Sequence, residues 1–303
     1  MRRLDTPLAH LLGVRFPIVQ APMANVQPPE LAAAVSAAGA LGSIAAGAAT
    51  PEELRAAIHS VRTATDAPFA VNLFAPPYTR PGLLEVVLEE RPPVVSFTFG
   101  IVAPLPLREL GIVTLGTATT VDEAVVLEEA GADAVVAQGA EAGGHRGTFA
   151  GSFEESLVPL AELVPAVAAA VSVPVVAAGG IADGAGIAAA LELGAQGVSL
   201  GTAFLFTPEC GAPREWLEAL RTRETVVTPA YTGRHARAAR TPFLERLMAG
   251  PPPLPFPEQR RVAEALPDAE RFFLGSPAGR QARELPAADL VRTLVAETEA
   301  AGR

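Results

Sequence analysis

The densest set of chemistry-bearing side chains in the 303-residue chain occupies ten consecutive positions, Gln138-Gly-Ala-Glu-Ala-Gly-Gly-His-Arg-Gly147. An amide, a carboxylate, an imidazole and a guanidinium share this run with four glycines. Such a segment buries little apolar surface, so contact with a ligand explains it better than packing. Imidazole titrates closest to neutral pH, which makes His145 the candidate catalytic acid or base. Gln138 offers donors and an acceptor to the polar edge of a ring, and Gly143 and Gly144 would admit a flat ligand against the backbone. Glu141 and Arg146 read as a surface ion pair outside the catalytic set.

A second concentration is Ala177-Ala-Gly-Gly180, followed by Ile181-Ala-Asp-Gly184, together with Ser199-Leu-Gly-Thr202. Glycines let backbone N–H groups approach an anion, and a following helix N-terminus adds partial positive charge. These two loops therefore predict a phosphate cradle. Ala21-Pro22-Met23 and Asn72 add less conspicuous polar and soft groups at two further strand ends. No cysteine and histidine set has zinc spacing, so no metal site is expected. His59 reads as a helix-surface residue, and Cys210, with no histidine beside it in sequence, as structural.

Eight short apolar runs must position these residues. Strands are expected at 17–23, 41–47, 68–74, 94–99, 112–118, 134–139, 173–180 and 197–204. Most are nearly continuous in apolar residues, as strands of a parallel sheet covered on both faces should be. Helical stretches separate them. Thr50, Pro51, Glu52 and Glu53 form a strong helix start, and Thr120, Asp122 and Glu123 another. Eight such units are most economically closed into a TIM (β/α)8 barrel, an α/β fold in which the ligand sits at the C-terminal strand ends. A doubly wound dinucleotide fold would need G-x-G-x-x-G after an early strand, and the first strand instead ends Gln20-Ala-Pro-Met23. Pro76, Pro77, Pro81 and Pro92, between Phe74 and Val94, leave room for about two helical turns. Residues 207–270 are expected to form a smaller, mostly helical inserted domain, with 1–206 and 271–303 making the barrel. The stripe Leu290, Val291, Leu294 and Val295 suits a last helix that covers the barrel's outside.

Composition narrows the partners. All 23 basic residues are arginine, and 33 acidic residues give a net charge of −10. That balance disfavours nucleic acid and anionic membranes and leaves a small-molecule substrate. The arginine-rich run 234–240 is then a domain contact or a patch for a substrate carboxylate. The alanine-rich stretches break before the ~18 apolar residues of a membrane span. The N-terminal segment lacks the apolar core of an export signal. One cysteine precludes an intrachain disulfide, so a reducing cytoplasm is the expected location.

Pro17-Ile-Val-Gln-Ala-Pro-Met-Ala24, Phe69-Ala-Val-Asn-Leu-Phe74, Ser96-Phe-Thr-Phe-Gly100, Gln138–Gly147, Ala178-Gly-Gly-Ile181, Gly201-Thr-Ala-Phe-Leu205 and Thr232-Gly-Arg-His-Ala-Arg237 closely resemble the nitronate monooxygenase family. The resemblance implies a TIM barrel that binds FMN non-covalently beneath a helical domain. It places Ala21, Pro22, Met23 and Asn72 along the flavin ring, Gln138 at the ring's polar edge, and Gly143 and Gly144 beside it. Gly179, Gly180, Leu200, Gly201 and Thr202, with Ser199 just before them, would hold the phosphate. His145 matches the active-site histidine, which would position the substrate and take the α-proton of a neutral nitroalkane. The implied reaction is oxidation of an alkyl nitronate, such as propionate 3-nitronate, by O2 to a carbonyl compound and nitrogen oxyanions. Three departures stand out: Asn25 where the family usually has Gly, the short link between the third and fourth strands, and the small overall size. A homodimer is left as an option. Two alternatives stay open. One is a flavin barrel reduced by NAD(P)H that acts on a quinone or an enoyl thioester, in the manner of enoyl-ACP reductases. The other is a phosphate-binding barrel without redox chemistry.

Overall fold

The computed structural model describes residues 4–102 and 105–301. Its strands are β1 (Ile18–Gln20), β2 (Gly42–Ala45), β3 (Phe69–Phe74), β4 (Val94–Thr98), β5 (Val113–Ala118), β6 (Ala134–Gln138), β7 (Gly144–His145), β8 (Val175–Ala178), β9 (Gly197–Leu200), β10 (Thr225–Thr228) and β11 (Ala236–Ala239). Eight of them form one parallel sheet in the order β1-β9-β8-β6-β5-β4-β3-β2. A parallel bridge between Val19 and Leu41 closes it: Leu41 N donates to Ile18 O at 2.9 Å and Gln20 N to Leu41 O at 2.8 Å. The TIM barrel expected from the eight apolar runs is thus present, each strand falling inside its predicted run.

Strand alternation gives the barrel two chemically different ends. Val19, Leu41, Ala70, Val94, Leu115, Ala134 and Val176 pack with Leu8 and Leu12 of the helix Pro7–Leu12 in one buried cluster. That helix plugs the N-terminal mouth. Two residues further along their strands, on the same face, stand Ser43, Asn72, Ser96 and Thr117. The layer facing the C-terminal mouth is therefore polar, which an apolar plug could not satisfy.

The flanking helices start and stop where local chemistry dictates. Pro51–Ala64 begins at Thr50, whose side chain accepts from Glu53 N while Glu53 returns a bond to Thr50 N. Val121–Glu129 begins at Thr120, whose side chain accepts from Glu123 N. The last helix, Ala287–Ala300, buries Leu290, Val291, Leu294 and Val295 and packs against Gly184–Glu192 and Pro29–Ala37. At Gly184 a Cβ would lie 2.2 Å from Glu297 Cβ, so only glycine allows that contact.

Residues 207–270 contain the helices Arg214–Thr222, Pro242–Met248 and Glu258–Glu264. They also contain β10 and β11, which the sequence reading did not separate from loop. These pair antiparallel, and β11 pairs with β7, in a small sheet ordered β10-β11-β7. Ala236-Arg-Ala-Ala239 has little intrinsic strand preference; partners on both sides hold it extended. No helix among the described residues is long and apolar enough to cross a membrane.

Candidate active site

The residues singled out from sequence gather at the polar mouth. Ala21–Met23 follow β1, Asn72 lies in β3, Gln138 ends β6, Gly179 and Gly180 follow β8, and Gly201 and Thr202 follow β9. The β1 loop is shaped by two residues that sequence reasoning gave no role. Buried Gln20 accepts from Ser43 N at 3.0 Å and from Gln27 Nε2 at 3.2 Å, and donates to Ala21 O. Gln27 Oε1 in turn accepts from Met23 N at 2.8 Å. Asn25 adopts φ +68°, the left-handed region that Asn tolerates best after glycine, so its departure from Gly keeps the backbone path. Asn72 is buried and its amide donates to Ser96 Oγ at 3.0 Å and Thr98 Oγ1 at 3.2 Å.

Gln138 Nε2 donates to His145 O at 3.0 Å, and its Oε1 accepts from Gly147 N at 2.8 Å. The side chain therefore clamps both ends of its own loop. One amide hydrogen and one lone pair remain for a ligand. Arg146 is not part of a surface ion pair with Glu141: it is 1% exposed and donates to Gly139 O at 2.6 Å, Gln138 O at 3.0 Å and Ser156 O at 2.6 Å. Three carbonyls converge on one buried point, and the guanidinium fork meets all of them. Glu141 instead accepts from Leu160 N at 2.9 Å. Glu123, also buried, accepts from Thr119 N and Oγ1 at 2.6 and 2.7 Å and from Phe149 N and Ala150 N at 2.5 and 2.9 Å. It fixes the loop that leaves His145.

His145 lies in β7, opposite Ala236. Its Nε2 is 3.0 Å from Thr232 Oγ1. Thr232 donates its one hydroxyl hydrogen to Arg234 O at 3.0 Å, so the hydroxyl accepts from Nε2–H and the lone pair sits on Nδ1. Burial, then the charges of Arg234 and Arg260, lower the imidazole from 6.5 to about 3. The ring is neutral at ordinary pH. Arg234 donates to Arg146 O at 3.3 Å and to Thr148 O, with its guanidinium 3.9 Å from the Phe99 ring centroid. Arg237 donates to Ala140 O at 2.7 Å. The arginine run is thus a contact between the inserted segment and the histidine loop, as one of its two sequence readings expected.

At the other strand ends, Gly179 and Gly180 adopt φ +133° and +71°. Among the described residues, no acceptor meets the N–H of Gly179, Gly180 or Gly201. The helix start expected to assist there is already occupied. Asp183 accepts from Gly186 N at 2.8 Å, and Glu297 from Gly184 N at 3.1 Å. Leu200 turns its side chain into the core, and its carbonyl accepts from Ala21 N at 2.9 Å. Thr202 Oγ1 accepts from Ser276 N at 3.0 Å, which brings the returning segment to the mouth. Gly143 serves that segment too, since a Cβ there would be 2.5 Å from Gly275 C. Gly144, at φ +80°, faces open space, with nothing within 4 Å of a Cβ. At Gly201 a Cβ would meet Ala21 Cβ at 3.4 Å and Met23 Sδ at 4.0 Å. Unpaired amides at one side and an open glycine beside a half-buried imidazole at the other fit a flat, phosphate-tailed cofactor.

Other candidates lie elsewhere. His59 pairs with Glu90, and His10 with Asp5. His235 stacks on Phe153 at 3.4 Å. Half-buried Cys210 donates to Val26 O, and burial pushes its thiol up.

The family model described as nitronate monooxygenase matches residues 5–80 and 77–297. A nitronate monooxygenase of Pseudomonas aeruginosa is 44% identical over 95% of this chain and 97% of its own. One from Paraburkholderia phytofirmans is 40% identical over 96% and 94%. Among solved structures, a nitroalkane oxidase from Streptomyces ansochromogenes superposes with a TM-score of 0.90 at 39% identity, covering 97% of this chain and 99% of that one. FabK from Thermotoga maritima superposes at 0.83 with 36% identity, covering 98% and 96%.

Proposed function

The chain belongs to the nitronate monooxygenase family and is an oxidoreductase, and from that premise we propose that it binds FMN and oxidises alkyl nitronates with O2 to carbonyl compounds and nitrogen oxyanions. FMN when bound supplies the electron-accepting chemistry that no side chain here can provide. The N–H groups of Gly179, Gly180 and Gly201 and the hydroxyl of Ser199 would hold its phosphate. Ala21, Pro22, Met23, Asn72 and the spare amide valences of Gln138 would line its ring, with Gly144 leaving the approach open.

The observation that carries this reading is the state of His145. Thr232 fixes the ring by its Nε2 edge, which leaves Nδ1 as the basic atom. The ring is neutral, and the positive charges of Arg234 and Arg260 beside it are what attract an anionic nitronate. With a neutral nitroalkane, Nδ1 takes the α-proton, and the nitronate formed compensates the imidazolium. Two of the five N–H groups of Arg234 are held by backbone carbonyls, which fixes its charge beside the histidine.

The test is anaerobic mixing of the flavin-loaded protein with a preformed alkyl nitronate, read as loss of flavin absorbance, followed by reoxidation in air with release of the carbonyl product. Bleaching by NADH with none by nitronate would refute the reading. It would favour the FabK-like alternative, reduction by NAD(P)H with transfer to a quinone or an enoyl thioester. Protein that stays colourless after FMN is added would leave only a non-redox barrel.

A further inference from the structure

Thr202, the residue after the Gly201 turn that ends β9, is 7% exposed. Its hydroxyl oxygen accepts twice, from Ser276 N at 3.0 Å and from Ser276 Oγ at 3.2 Å. A hydroxyl has two lone pairs and one hydrogen. Both lone pairs are therefore filled from one side, and the hydrogen points away from Ser276. Among the described residues no acceptor meets it. Buried threonines elsewhere spend theirs on a carbonyl, Thr207 on Phe204 O at 2.9 Å and Thr298 on Leu294 O at 2.7 Å. A buried donor left without an acceptor is costly unless a ligand supplies one.

Contacts between three loops place the Thr202 hydroxyl with the unpaired amides. β8 and β9 are neighbours with Ala178 opposite Ser199, so the chain leaves the sheet through Gly179-Gly180 and through Gly201-Thr202 side by side. A Cβ at Gly179 would lie 2.9 Å from Ala142 N, and one at Gly143 2.5 Å from Gly275 C. Ser276 follows, which completes a circuit of close contacts from Gly179 through 142–143 and 275–276 to Thr202. Ser276 is held independently of Thr202. It is 3% exposed, and its Oγ accepts from Ala278 N at 3.3 Å at the start of the 3-10 helix Pro277–Arg280. Gly275 and Gly279 admit Leu220 of the helix Arg214–Thr222, since Cβ atoms there would lie 2.6 and 2.8 Å from its side chain. The segment that presents Ser276 is thus docked on the inserted unit.

Resting on the proposed function, we infer that Ser276 is a positioning residue for the cofactor: by filling both lone pairs of Thr202, it makes the Thr202 hydroxyl a dedicated donor to the flavin phosphate. Ser276 is not itself a phosphate ligand, because its N–H and its O–H are both spent on Thr202. It acts by removing the other roles open to a hydroxyl. A free Thr202 would accept from water or turn its hydrogen to a carbonyl; with both acceptor sites filled, outward donation is the one bond left. An anionic phosphate oxygen gains a charge-assisted bond from it. Because Ser276 belongs to the segment docked on the inserted unit, grip on the phosphate and docking of that unit support one another.

The experiment titrates the flavin-free full chain with FMN and with riboflavin, which lacks the phosphate, and reads binding from quenching of flavin fluorescence. Thr202→Val should weaken FMN at least about tenfold, the loss of one hydrogen bond to a charged group. Ser276→Ala should weaken it about fivefold, and Ser276→Thr, which keeps both donors, should retain most of the native affinity. Riboflavin affinity should stay within about twofold of native in every variant, which also shows that the variants fold. In the Thr202→Val background Ser276→Ala should cost FMN less than about twofold, because no hydroxyl is left to orient. Ser276→Cys, which keeps the volume but donates weakly, takes the place of Ser276→Ala if the latter does not fold. Equal weakening of FMN and riboflavin, or a loss that persists undiminished in the Thr202→Val background, makes Ser276 a packing residue and overturns the inference. Native FMN affinity in either single variant does the same, even in protein that oxidises nitronates. Native protein that binds neither flavin, yet gains melting temperature from inorganic phosphate in a Ser276-dependent way, sinks the proposed function and leaves the role of Ser276 standing; no response to phosphate sinks both.

Discussion

Glu123→Gln is the sharpest probe of how the histidine loop is held. The carboxylate accepts four hydrogen bonds, two from Thr119 and two from the amides of Phe149 and Ala150. Glutamine is nearly isosteric but has one oxygen, so its NH2 must face either Thr119 or the 149–150 amides. The first is cheaper, because the Thr119 hydroxyl can turn and accept. Thr119 N–H is then left buried without a partner, at about 1–3 kcal/mol, and three charge-assisted bonds weaken by about 1 kcal/mol each. Relief of the carboxylate's own desolvation offsets part of this. Loss of its attraction for Arg146 and Arg234, both of which it supports, acts the other way. The net expectation is about 2–4 kcal/mol of destabilisation. Urea unfolding followed by Trp216 fluorescence and by flavin release measures it. Nitronate turnover should fall too, since the loop that leaves His145 loses its anchor. A midpoint equal to that of the native protein, corresponding to less than about 0.5 kcal/mol, would show that the buried carboxylate is not what holds the loop.

Four further outcomes are expected. His145→Asn should keep FMN bound and cut turnover of neutral nitroalkanes by about 100-fold or more, with a much smaller loss on preformed nitronates, because only the former need a base; equal losses on both would assign the ring to positioning alone. Because His145 is lowered from 6.5 to about 3, kcat/KM for preformed nitronates should show no imidazole inflection between about pH 5 and 8. The same shift makes folding pH-dependent. The unfolded chain takes up this proton below about pH 6.5 and the folded one only near pH 3, so stability falls on acidification through that window by at most about 1.4 kcal/mol per pH unit; urea midpoints across that range should be flatter in His145→Asn. Gly180→Ala places a side chain at φ +71° with its Cβ 3.1 Å from Glu141 Cβ, and FMN retention on dilution should weaken about tenfold.

The barrel was legible because its signal is periodic and repeated. Eight apolar runs, capped helices at Thr50 and Thr120, and glycines after Glu129 and Leu193 each follow from local chemistry. The placement of site residues at strand ends follows from the closed topology. What escaped is the set of contacts between distant segments. Nothing in the spacing of Arg146 marks it as a buried clamp, because the carbonyls it serves are made acceptors only by the loop's own folded path. The strand Ala236–Ala239 escaped for a related reason: β10 and β7 extend it, and its own residues do not. Thr232 and Arg234 stand in a motif that carries the family resemblance, yet their roles depend on β11 lying beside His145.

The arginine-only composition makes physical sense at this site. Arg146, Arg234 and Arg237 all reach into the histidine loop and end on main-chain carbonyls. A lysine could bring the charge but not the planar fork that meets two or three carbonyls at once, and its ammonium is more strongly hydrated. Their burial leaves net positive charge around His145 with few free donors to compete for the substrate. The field that concentrates an anion at the mouth also keeps the imidazole unprotonated, at the cost of a weaker base. The acidic surface, at net charge −10, works against anion approach from afar, so the attraction is confined to the mouth. Nitronate kcat/KM should accordingly rise with ionic strength at low salt, as the long-range repulsion is screened and the short-range buried field is not. A monotonic fall with added salt would mean that attraction by positive charge reaches well into solvent and outweighs the repulsion of the acidic surface.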